Sequence, residues 1–450
     1  MKPDGTAAQG GDSTGPGGGD STAARGGDNQ GSRGGDAAGP QRERDRRGRR
    51  ATTVAFFVQG LCFAVVVTRI SVLQDKFNLS NGQLTIVLLT VPVIAGVGSV
   101  ASGPLAARIG SATVLRIAQA LVCLTLPAVG FASTLPELYV AVGLFGLVLG
   151  AVDATMNMQG AVTEKRYGFS IITAFYSFWS LAGILGGLWN AAAGKLGLSL
   201  GVAFSIAAAG GLAASLITGA ALFGKSEDVA PVSEAAAKKA GIAIQWRPII
   251  LIGIAMGCMY IGDAAVSNFS SVYMDKVQHG SKVLLPLAYA AYQTLMVAGR
   301  AIGDHTVRRF GAAPVVRAGA GVAAAGLLCV VLAPSPYLAI GAFALTGLGF
   351  CVVPPQCFSA TSKLDPTGSG IAISRVNVFN YVGFVLGAAL VGGIAGGVGG
   401  SAGWRAAYAA PLVLTVVIVA LARGFDPKPT PGTGGGVATA AGAEAGTAPA

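Results

Sequence analysis

The stretch Gly299–Gly311, GRAIGDHTVRRFG, is a short basic run between two long apolar segments. A degraded copy of it, Gly98–Gly110 (GSVASGPLAARIG), lies 201 positions earlier and keeps two glycines and one arginine in register. Beyond these runs the same offset matches Arg116 with Arg317. A constant offset is the signature of an internal repeat. The sequence therefore predicts two tandem copies of one unit.

The composition indicates what kind of unit is repeated. Of the 450 residues, 52% are hydrophobic and only 11% are charged, whereas soluble domains carry roughly a quarter charged residues. The charges punctuate apolar runs of about 20 residues, long enough to cross about 30 Å of hydrocarbon. Because hydrocarbon offers the backbone no hydrogen-bond partners, such runs must be helices. We predict an all-α, multi-pass membrane protein.

Twelve transmembrane helices are predicted, six before and six after a long polar loop. The predicted spans are 51–73, 84–106, 113–131, 137–159, 171–193, 200–222, 248–270, 284–303, 314–332, 337–360, 371–393 and 404–422.

The polar segments divide the chain. Residues 1–50 are rich in Gly, Asp and Arg, so we predict a disordered tail. The central loop, 223–247, separates bundles 51–222 and 248–424, and residues 425–450 form a second disordered tail.

The positive charge is explained by membrane orientation rather than by nucleic acid. The net charge is +11, and Lys and Arg accumulate in cytoplasmic loops. With both termini inside, 21 Lys and Arg residues near the membrane, Arg300 among them, fall on the cytoplasmic side and 6 on the other. We predict a plasma-membrane protein with cytoplasmic N- and C-termini.

Four stretches resemble the major facilitator superfamily, and within it a bacterial, sugar-permease-like branch of mostly unassigned substrate. They are Gly146–Gly160 (GLVLGAVDATMNMQG), Thr173–Gly187 (TAFYSFWSLAGILGG), Asp263–Met274 (DAAVSNFSSVYM) and Gly299–Gly311. The resemblance covers roughly residues 51–424 and implies two pseudo-symmetric six-helix bundles related by an axis along the membrane normal. It also implies a central cavity lined by helices 1, 4, 7 and 10.

The basic glycine loop after the second helix of each half resembles the superfamily's gating loop. The family usually has an Asp four residues after the loop's first Gly, but Ala107 and Arg308 occupy that place here. The acid of the second copy is Asp304, at the position of the first Gly. The candidate gating residues are Arg108, Gly110, Asp304, Arg308, Arg309 and Gly311.

Two acids lie well inside predicted spans, where a charge costs at least about 2.5–3.5 kcal/mol and normally faces a cavity or a partner. Asp153 has Asn157 one turn later on the same face. It is either part of a polar wall that contacts substrate or carries a proton, or a structural clamp between helices. Asp263 is our first candidate for proton coupling, with a simply solvated acid as the alternative. Arg375 could recognise a substrate anion or pair with Asp153, and the alternative is a side chain that snorkels to the interface.

Further polar and aromatic side chains complete the predicted site. Aromatic faces and amides suit a hydroxylated, uncharged ligand. The predicted substrate-binding set is Gln59, Asp153, Asn157, Tyr176, Trp179, Tyr260, Asn268, Tyr292, Gln293, Gln356, Asn377 and Asn380. For each aromatic residue, ordinary helix packing is the alternative.

Small residues and prolines predict how the helices pack. Gly146 and Gly150 would bring helix 4 close to a neighbour, and the pairs Gly183/Gly187 and Gly383/Gly387 would do the same on helices 5 and 11. Pro354–Pro355 should bend or break helix 10.

The function predicted is secondary active transport of a small molecule by alternating access, coupled to protons. One alternative is an exporter of drugs or secreted metabolites, and another is a non-transporting membrane sensor. The run Gly219–Ser226 (GAALFGKS) fits a phosphate-loop pattern but follows a helix instead of a strand. We predict no enzyme activity, cofactor, metal site or disulfide, and we predict a monomer whose partners are a small-molecule substrate, the proton and the lipid bilayer.

Overall fold

The structure is a computed structural model that describes residues 33–79, 81–227, 244–280, 284–285, 287–365 and 370–426. These residues form helices, and no strand occurs among them. The helices are α1 (Arg33–Val67), α2 (Ile70–Phe77), α3 (Asn81–Ile109), α4 (Ser111–Phe131), α5 (Leu135–Tyr167), α6 (Ile172–Lys195), α7 (Leu200–Gly219), α8 (Trp246–Lys276), α9 (Leu287–Phe310), α10 (Ala312–Leu332), α11 (Pro336–Phe350), α12 (Val353–Leu364), α13 (Ile371–Val398), α14 (Gly400–Leu421) and a final 3₁₀ turn (Ala422–Phe425).

Eleven helical segments of the described chain are long and apolar enough to cross a membrane. The predicted span 284–303 corresponds to α9, which is 24 residues long but is not among the eleven. Its last three turns carry five ionisable side chains: Arg300, Asp304, His305, Arg308 and Arg309. The all-α membrane fold is confirmed, while the predicted count of twelve apolar spans is not reproduced exactly because one of the twelve helices is polar.

Backbone geometry repeats with the offset seen in the sequence. Gly110 and Gly311 precede α4 and α10 with φ of 89° and 87°, in the region that favours glycine. One helix later, Thr134 and Ser335 are the side-chain N-caps of α5 and α11. The two halves are thus built by the same local rules.

Residues before the first apolar span differ from the prediction. Residues 33–50 are helical in α1 instead of disordered. Contacts divide the chain into Met1–Glu43 and Arg44–Ala450, and all contacts described below lie within the second unit.

The second unit contains the basic start of the first span, which stays helical because its charges have partners. The Arg44 guanidinium donates to the carbonyls of Ala221 and Leu222, at 2.7 and 2.9 Å, and to Glu227 at 2.5 Å. Partial burial alone raises the pKa of Glu227, but hydrogen bonds from Arg44 and the Gly224 amide outweigh it, so the net shift is downward. The predicted tail residues 1–32 and 427–450, and most of the central loop, lie outside the described residues.

Helices α11 and α12 together replace the predicted span 337–360. The helix breaks at Cys351 and Val352, directly before Pro354 and Pro355. Proline lacks the amide that would continue the hydrogen-bond ladder, so the predicted break is observed.

Glycine contacts support close packing on α5 and correct the prediction for α6. A Cβ at Gly150 would overlap the Ala95 carbonyl of α3, and one at Gly146 would lie 2.8 Å from the Val91 carbonyl oxygen. On α13, Gly383 and Gly387 are equally tight against α8, with carbonyl oxygens at 2.5 and 2.6 Å from a built Cβ.

On α6 the prediction was wrong. Gly183 has no atom within 4 Å of a built Cβ, and Gly187 has only one, at 3.9 Å. The close approach is made by Gly186, whose Cβ would lie 2.9 Å from that of Ala64. Gly186 is also the residue that the repeat offset matches with Gly387, so the register of the repeat, not the glycine spacing, selects the contact face.

The contact at Gly150 should be essential for stability. We expect Gly150→Ala to lower thermal stability by about 1–3 kcal/mol or more, because the added methyl group must displace the backbone of α3. Gly143→Ala is the matched control, since a Cβ there meets nothing within 4 Å. Thermal unfolding of both variants in the same detergent measures the difference, and equal melting temperatures would contradict the packing described here.

Candidate functional site

Asp153 is the centre of a buried polar cluster near the middle of α5. Its carboxylate accepts a hydrogen bond from Gln59 Nε2 at 2.7 Å and another from the Tyr381 hydroxyl. The indole N–H of Trp179 donates to the amide oxygen of Gln59. Tyr381 lies on α13, so this cluster joins the two halves of the molecule.

Asn157 extends this cluster toward the end of α5. Its amide donates to the Asp153 carbonyl at 2.8 Å, and its oxygen accepts from the Tyr176 hydroxyl at 3.1 Å. The Tyr176 ring is stacked with Phe358 of the other half, with ring centroids 6.4 Å apart. Four of the predicted site residues, from α1, α5 and α6, are therefore brought together with Asp153.

Asp263 forms a second polar cluster, on α8 and α9. The Tyr292 hydroxyl donates to its carboxylate at 2.5 Å, and Tyr289 lies beside Tyr292 with ring centroids 6.3 Å apart. Gln293 donates to the Tyr289 hydroxyl at 2.8 Å. No basic group lies within 4 Å of Asp263 or Asp153 in the part of the chain that the structure describes.

Arg300 lies between these two clusters. It is buried in α9 and donates to the Ser180 hydroxyl of α6 at 2.5 Å. Its guanidinium is 5.6 Å from the ring centroid of Tyr176 and 5.8 Å from that of Trp179. Arg300 also acts electrostatically on Asp263. The sequence prediction counted Arg300 among the charged residues of the predicted cytoplasmic loops, whereas the structure buries its side chain inside the protein.

A third group of contacts closes the edge of the molecule that carries Arg108, Arg116, Arg166, Arg308 and Arg309, here called the arginine-rich edge. Asp304 of α9 accepts hydrogen bonds from the backbone amides of Thr173 and Ala174, at 3.1 and 2.7 Å, and from the Ser170 hydroxyl at 2.9 Å. A carboxylate at a helix N-terminus is stabilised by the free amides and by the helix dipole. The acid of one half therefore caps α6 of the other.

Glu164 caps the same helix from its own half. It is buried at the end of α5 and accepts from the amides of Ile171 and Ile172, at 3.1 and 3.3 Å. Its other oxygen accepts from the Ser359 hydroxyl of α12. Two carboxylates, one from each half, thus converge on the start of α6.

The pseudo-equivalent contact between α3 and α13 has no charge. The Ser99 hydroxyl donates to the Ser374 carbonyl at 3.0 Å and lies 3.1 Å from the donating amide of Asn377. A Cβ at Gly103 would overlap the Ser374 hydroxyl. One pair of helices between the halves is therefore joined by small neutral groups and the other by Arg300 and Asp304.

The remaining predicted residues lie at different places. Gln356 is buried at the arginine-rich edge, 3.4 Å from the Thr173 hydroxyl, rather than beside Asp153. Asn268 is exposed and its amide donates to the Ala264 carbonyl of its own helix. Tyr260 is within electrostatic reach of both acids. Asn380 is half-buried on α13.

The predicted gating residues make different contacts in the two copies of the repeat. In the first copy, Lys225 donates to the Arg108 carbonyl at 2.6 Å and packs against Gly110. In the second copy, the Arg308 guanidinium lies over the Phe169 ring at 4.8 Å. Arg309 is exposed, and the carboxylate of Asp426 accepts from the Ala313 amide at 3.0 Å, next to Gly311.

Sequence reasoning missed Arg300, Tyr381, Glu164 and Ser359. Arg300 carried a usable signal, because it falls inside the predicted span 284–303. Tyr381 carried none beyond its residue type, and it takes the place beside Asp153 that the sequence offered to Arg375, which is exposed. No group of three or more His, Cys, Asp or Glu side chains that could hold a metal occurs among the described residues.

A duplicated helical frame, with its polar groups buried where the halves meet, defines a membrane transporter. The chain belongs to the Major Facilitator Superfamily, whose sequence model matches residues 52–388 and 252–445. This is a family of transporters, which confirms the predicted family, the multi-pass membrane class and the expectation that the chain is not an enzyme.

Relatives span most of the chain. The uncharacterized transporter y4wD of Sinorhizobium fredii is 26% identical over 349 residues, covering 76% of this chain and 90% of the relative. An uncharacterized MFS-type transporter of Yersinia pestis is 24% identical, covering 76% and 87%. Membrane protein MosC of Rhizobium meliloti is 26% identical, covering 77% and 84%.

Solved structures share the fold. The E. coli fucose:proton symporter FucP superposes with a TM-score of 0.68 at 14% identity, over 84% of this chain and 98% of that one. The proton:xylose symporter XylE gives a TM-score of 0.67 at 14% identity, over 84% and 95%.

The Asp304 contact should hold the arginine-rich edge closed. A carboxylate at a partly buried helix N-terminus contributes up to about 2 kcal/mol, and a change of one or two kcal/mol alters a population by roughly 5–30-fold. We expect Asp304→Ala to increase, by roughly 5–30-fold, the fraction of molecules in which the two halves are separated at the arginine-rich edge.

Spin labels at Lys165 and Lys363, exposed near the ends of α5 and α12, would report the separation as a distance distribution. His305→Ala, an exposed neighbour of Asp304, is the control. A distribution that is the same for wild type and Asp304→Ala would show that Asp304 does not hold the halves together.

Proposed function

We propose that the protein is a proton-coupled secondary active transporter that works by alternating access. The observation that carries the proposal is the placement of its buried polar groups. Hydrogen bonds between the halves, in the part of the chain that the structure describes, run from Asp153–Tyr381 in the middle of α5 to Asp304 and Glu164 at the arginine-rich edge. Because these hydrogen bonds join the two halves between the middle of the membrane and the arginine-rich edge, the halves are suited to separate at the opposite edge.

Coupling to protons is supported by the environment of the two acids. Asp153 and Asp263 each accept hydrogen bonds from neutral donors, and neither has a cation within 4 Å among the described residues. An unpaired carboxylate is expensive in a low-dielectric interior. Binding a proton removes that charge, so each acid is suited to be charged and neutral at different stages of a transport cycle.

The two acids suit different roles. Asp153 is bonded to Gln59 and to Tyr381 of the opposite half, so its protonation would weaken a contact between the halves as well as change the site. Asp263 is half-buried and bonded within its own half to Tyr292. We therefore assign the exchange of protons with the outside to Asp263, and the linkage between site and halves to Asp153.

The groups around the acids suit a small hydroxylated molecule. Gln59 and Asn157 offer amides, and Tyr176 and Trp179 offer aromatic faces next to them. Amides can donate to and accept from hydroxyl groups, and aromatic faces cover the apolar side of a ring. The symport of fucose and of xylose by structural neighbours of the same fold is consistent with this class of substrate.

Orientation follows from the distribution of charge. Lys and Arg accumulate on cytoplasmic loops, so we propose that the arginine-rich edge and both termini face the cytoplasm. We also propose that the protein lies in the plasma membrane as a monomer. Closure of this edge then corresponds to a site that opens outward.

Replacing Asp263 tests proton coupling. We expect Asp263→Asn to abolish accumulation driven by a pH step in reconstituted vesicles while leaving exchange of solute across the membrane, because the amide keeps a hydrogen bond to Tyr292 but cannot carry a proton. Uptake is screened with L-fucose, D-xylose and sugar acids, and proton movement is followed with an internal pH dye. Asp275→Asn, an exposed acid on α8, is the control. If pH-driven accumulation of solute persists in Asp263→Asn, Asp263 is not required for proton coupling.

Cysteine labelling tests the orientation. A membrane-impermeant maleimide applied to intact cells should modify Lys195→Cys and leave Arg309→Cys unmodified until the membrane is permeabilised. Both positions are exposed in the structure, and Cys329, the exposed native thiol, is replaced by Ser in the background. Labelling of Arg309→Cys in intact cells would reverse the proposed orientation.

A further inference from the structure

Arg300 carries a buried positive charge, and the contacts of its side chain do not neutralise it. Only 6% of its surface is exposed, and it lies in a helix that crosses the predicted membrane region. A buried guanidinium is strongly unfavourable unless an anion or several acceptors neutralise it. The contacts of Arg300 therefore decide whether this charge serves the frame or a ligand.

The described residues give Arg300 few acceptors. One terminal nitrogen donates to Ser180, and the two ring faces of Tyr176 and Trp179 lie near the guanidinium. The Nε atom is buried and has no hydrogen-bond partner, although a guanidinium carries five N–H donors. No carboxylate lies within 4 Å of Arg300 in the described part of the chain.

The repeat shows that the frame does not need a cation at this position. The offset of 201 matches Arg300 with Ser99, on the pseudo-equivalent helix α3. Ser99 is buried and neutral, and its hydroxyl is satisfied by Ser374 and Asn377. At the same position between the halves, a serine hydroxyl is sufficient for packing in the first copy. The arginine of the second copy is therefore not required for packing.

Asp263 is not a sufficient partner for Arg300. Its carboxylate accepts a hydrogen bond from the Tyr292 hydroxyl at 2.5 Å, and no ion pair within 4 Å joins it to the guanidinium in the described part of the chain. A proton-carrying Asp263 would also be neutral for part of the cycle. Arg300 then requires another anion whenever Asp263 is protonated.

We infer that Arg300 binds the carboxylate of the transported molecule, and that the substrate is a hydroxylated organic acid of the sugar-acid class. This inference rests on the proposed transport function and corrects the uncharged ligand expected from the sequence. The free donors of Arg300 match the two oxygens of a carboxylate. The neighbouring rings and the Gln59 amide, which bonds Trp179, supply the contacts for hydroxyl groups and ring carbons.

A carboxylate fits better than a phosphate. A phosphate ester carries close to two negative charges at neutral pH, and one guanidinium faces it here with Asp153 and Asp263 nearby. A single negative charge balances Arg300 without leaving an excess between the two acids.

Matched pairs of probes test the inference. D-glucose is compared with D-glucuronate, D-galactose with D-galacturonate, and D-glucose with D-gluconate, by calorimetry and by thermal unfolding of the purified full-length protein. We expect the acid of at least one pair to bind about tenfold or more tightly than its neutral partner, since a charge-assisted hydrogen bond in a buried site is worth a factor of this size.

Variants assign the binding to Arg300. Arg300→Gln should lose about tenfold or more in affinity for that acid, and Arg300→Lys should lose part of it because an ammonium cannot make the paired contact. Arg375→Gln, which removes an exposed arginine of α13, should bind like wild type. If Arg300→Gln does not fold, as judged by size-exclusion chromatography, Arg300→Lys carries the test.

Three outcomes overturn the inference. They are binding of no acid in the panel, equal binding of acid and neutral partner, and unchanged affinity for the acid in the Arg300 variants. Transport is tested separately by adding the tightest-binding probe to vesicles. Arg300-dependent binding without uptake would support the acid site at Arg300 and count against the proposed transport function, whereas uptake of neutral sugars alone would support transport and overturn the acid site.

Discussion

Hydrocarbon cannot satisfy a polar group, and this constraint organises the whole molecule. Backbone groups of the spans are satisfied by their own helices, so the few polar side chains inside must find partners in protein or water. The structure collects them in two clusters: Asp153 with Gln59 and with Tyr381 of the other half, and Asp263 with Tyr292 within the second half. What these side chains need for stability is also what a transporter needs in order to bind a polar molecule in the middle of the membrane.

The duplicated frame uses its two equivalent interfaces differently. Between α3 and α13, Ser99, Gly103 and Ser374 allow close packing with neutral hydrogen bonds. Between α6 and α9, the equivalent places of the second copy are occupied by Arg300 and Asp304, which are charged. A neutral interface of small groups serves as a packing surface, whereas a charged one can respond to protons, ligands and water. The two interfaces thus differ in chemistry although the frame that carries them is symmetric.

The contacts that close the arginine-rich edge are suited to be broken and remade. Asp304 and Glu164 bind backbone amides at the start of α6, and water can replace such bonds, because the first amides of a helix have no partner within the helix. The Asp153–Tyr381 bond lies near the middle of α5 between two buried residues, so water replaces it less easily than the contacts at the edge.

The repeat, the membrane class and the superfamily could be read from the chain alone, because a 201-residue offset and runs of apolar residues are properties of sequence. The sequence also predicted a loop after the second helix of each half, which the structure shortens to Gly110 and Gly311, and it predicted the break near Pro354. The composition did not reveal that residues 44–50 continue α1, since their charges have partners, such as Glu227 for Arg44, that are far away in sequence.

The sequence indicated which polar side chains lie inside the helices, but it did not indicate which residues they contact. Asp153 and Asp263 stood out because charges are rare in spans, and Asn157 lay beside Asp153 by helical spacing. Which residues of the other half would reach them could not be read from either helix: Tyr381 rather than Arg375 approaches Asp153, and Gln356 lies at the edge rather than beside it. Sequence periodicity determines the face of a residue on its own helix, but only the rotation and depth of two packed helices decide which faces meet. For this reason the burial of Arg300 between two acid clusters emerged only from the tertiary structure.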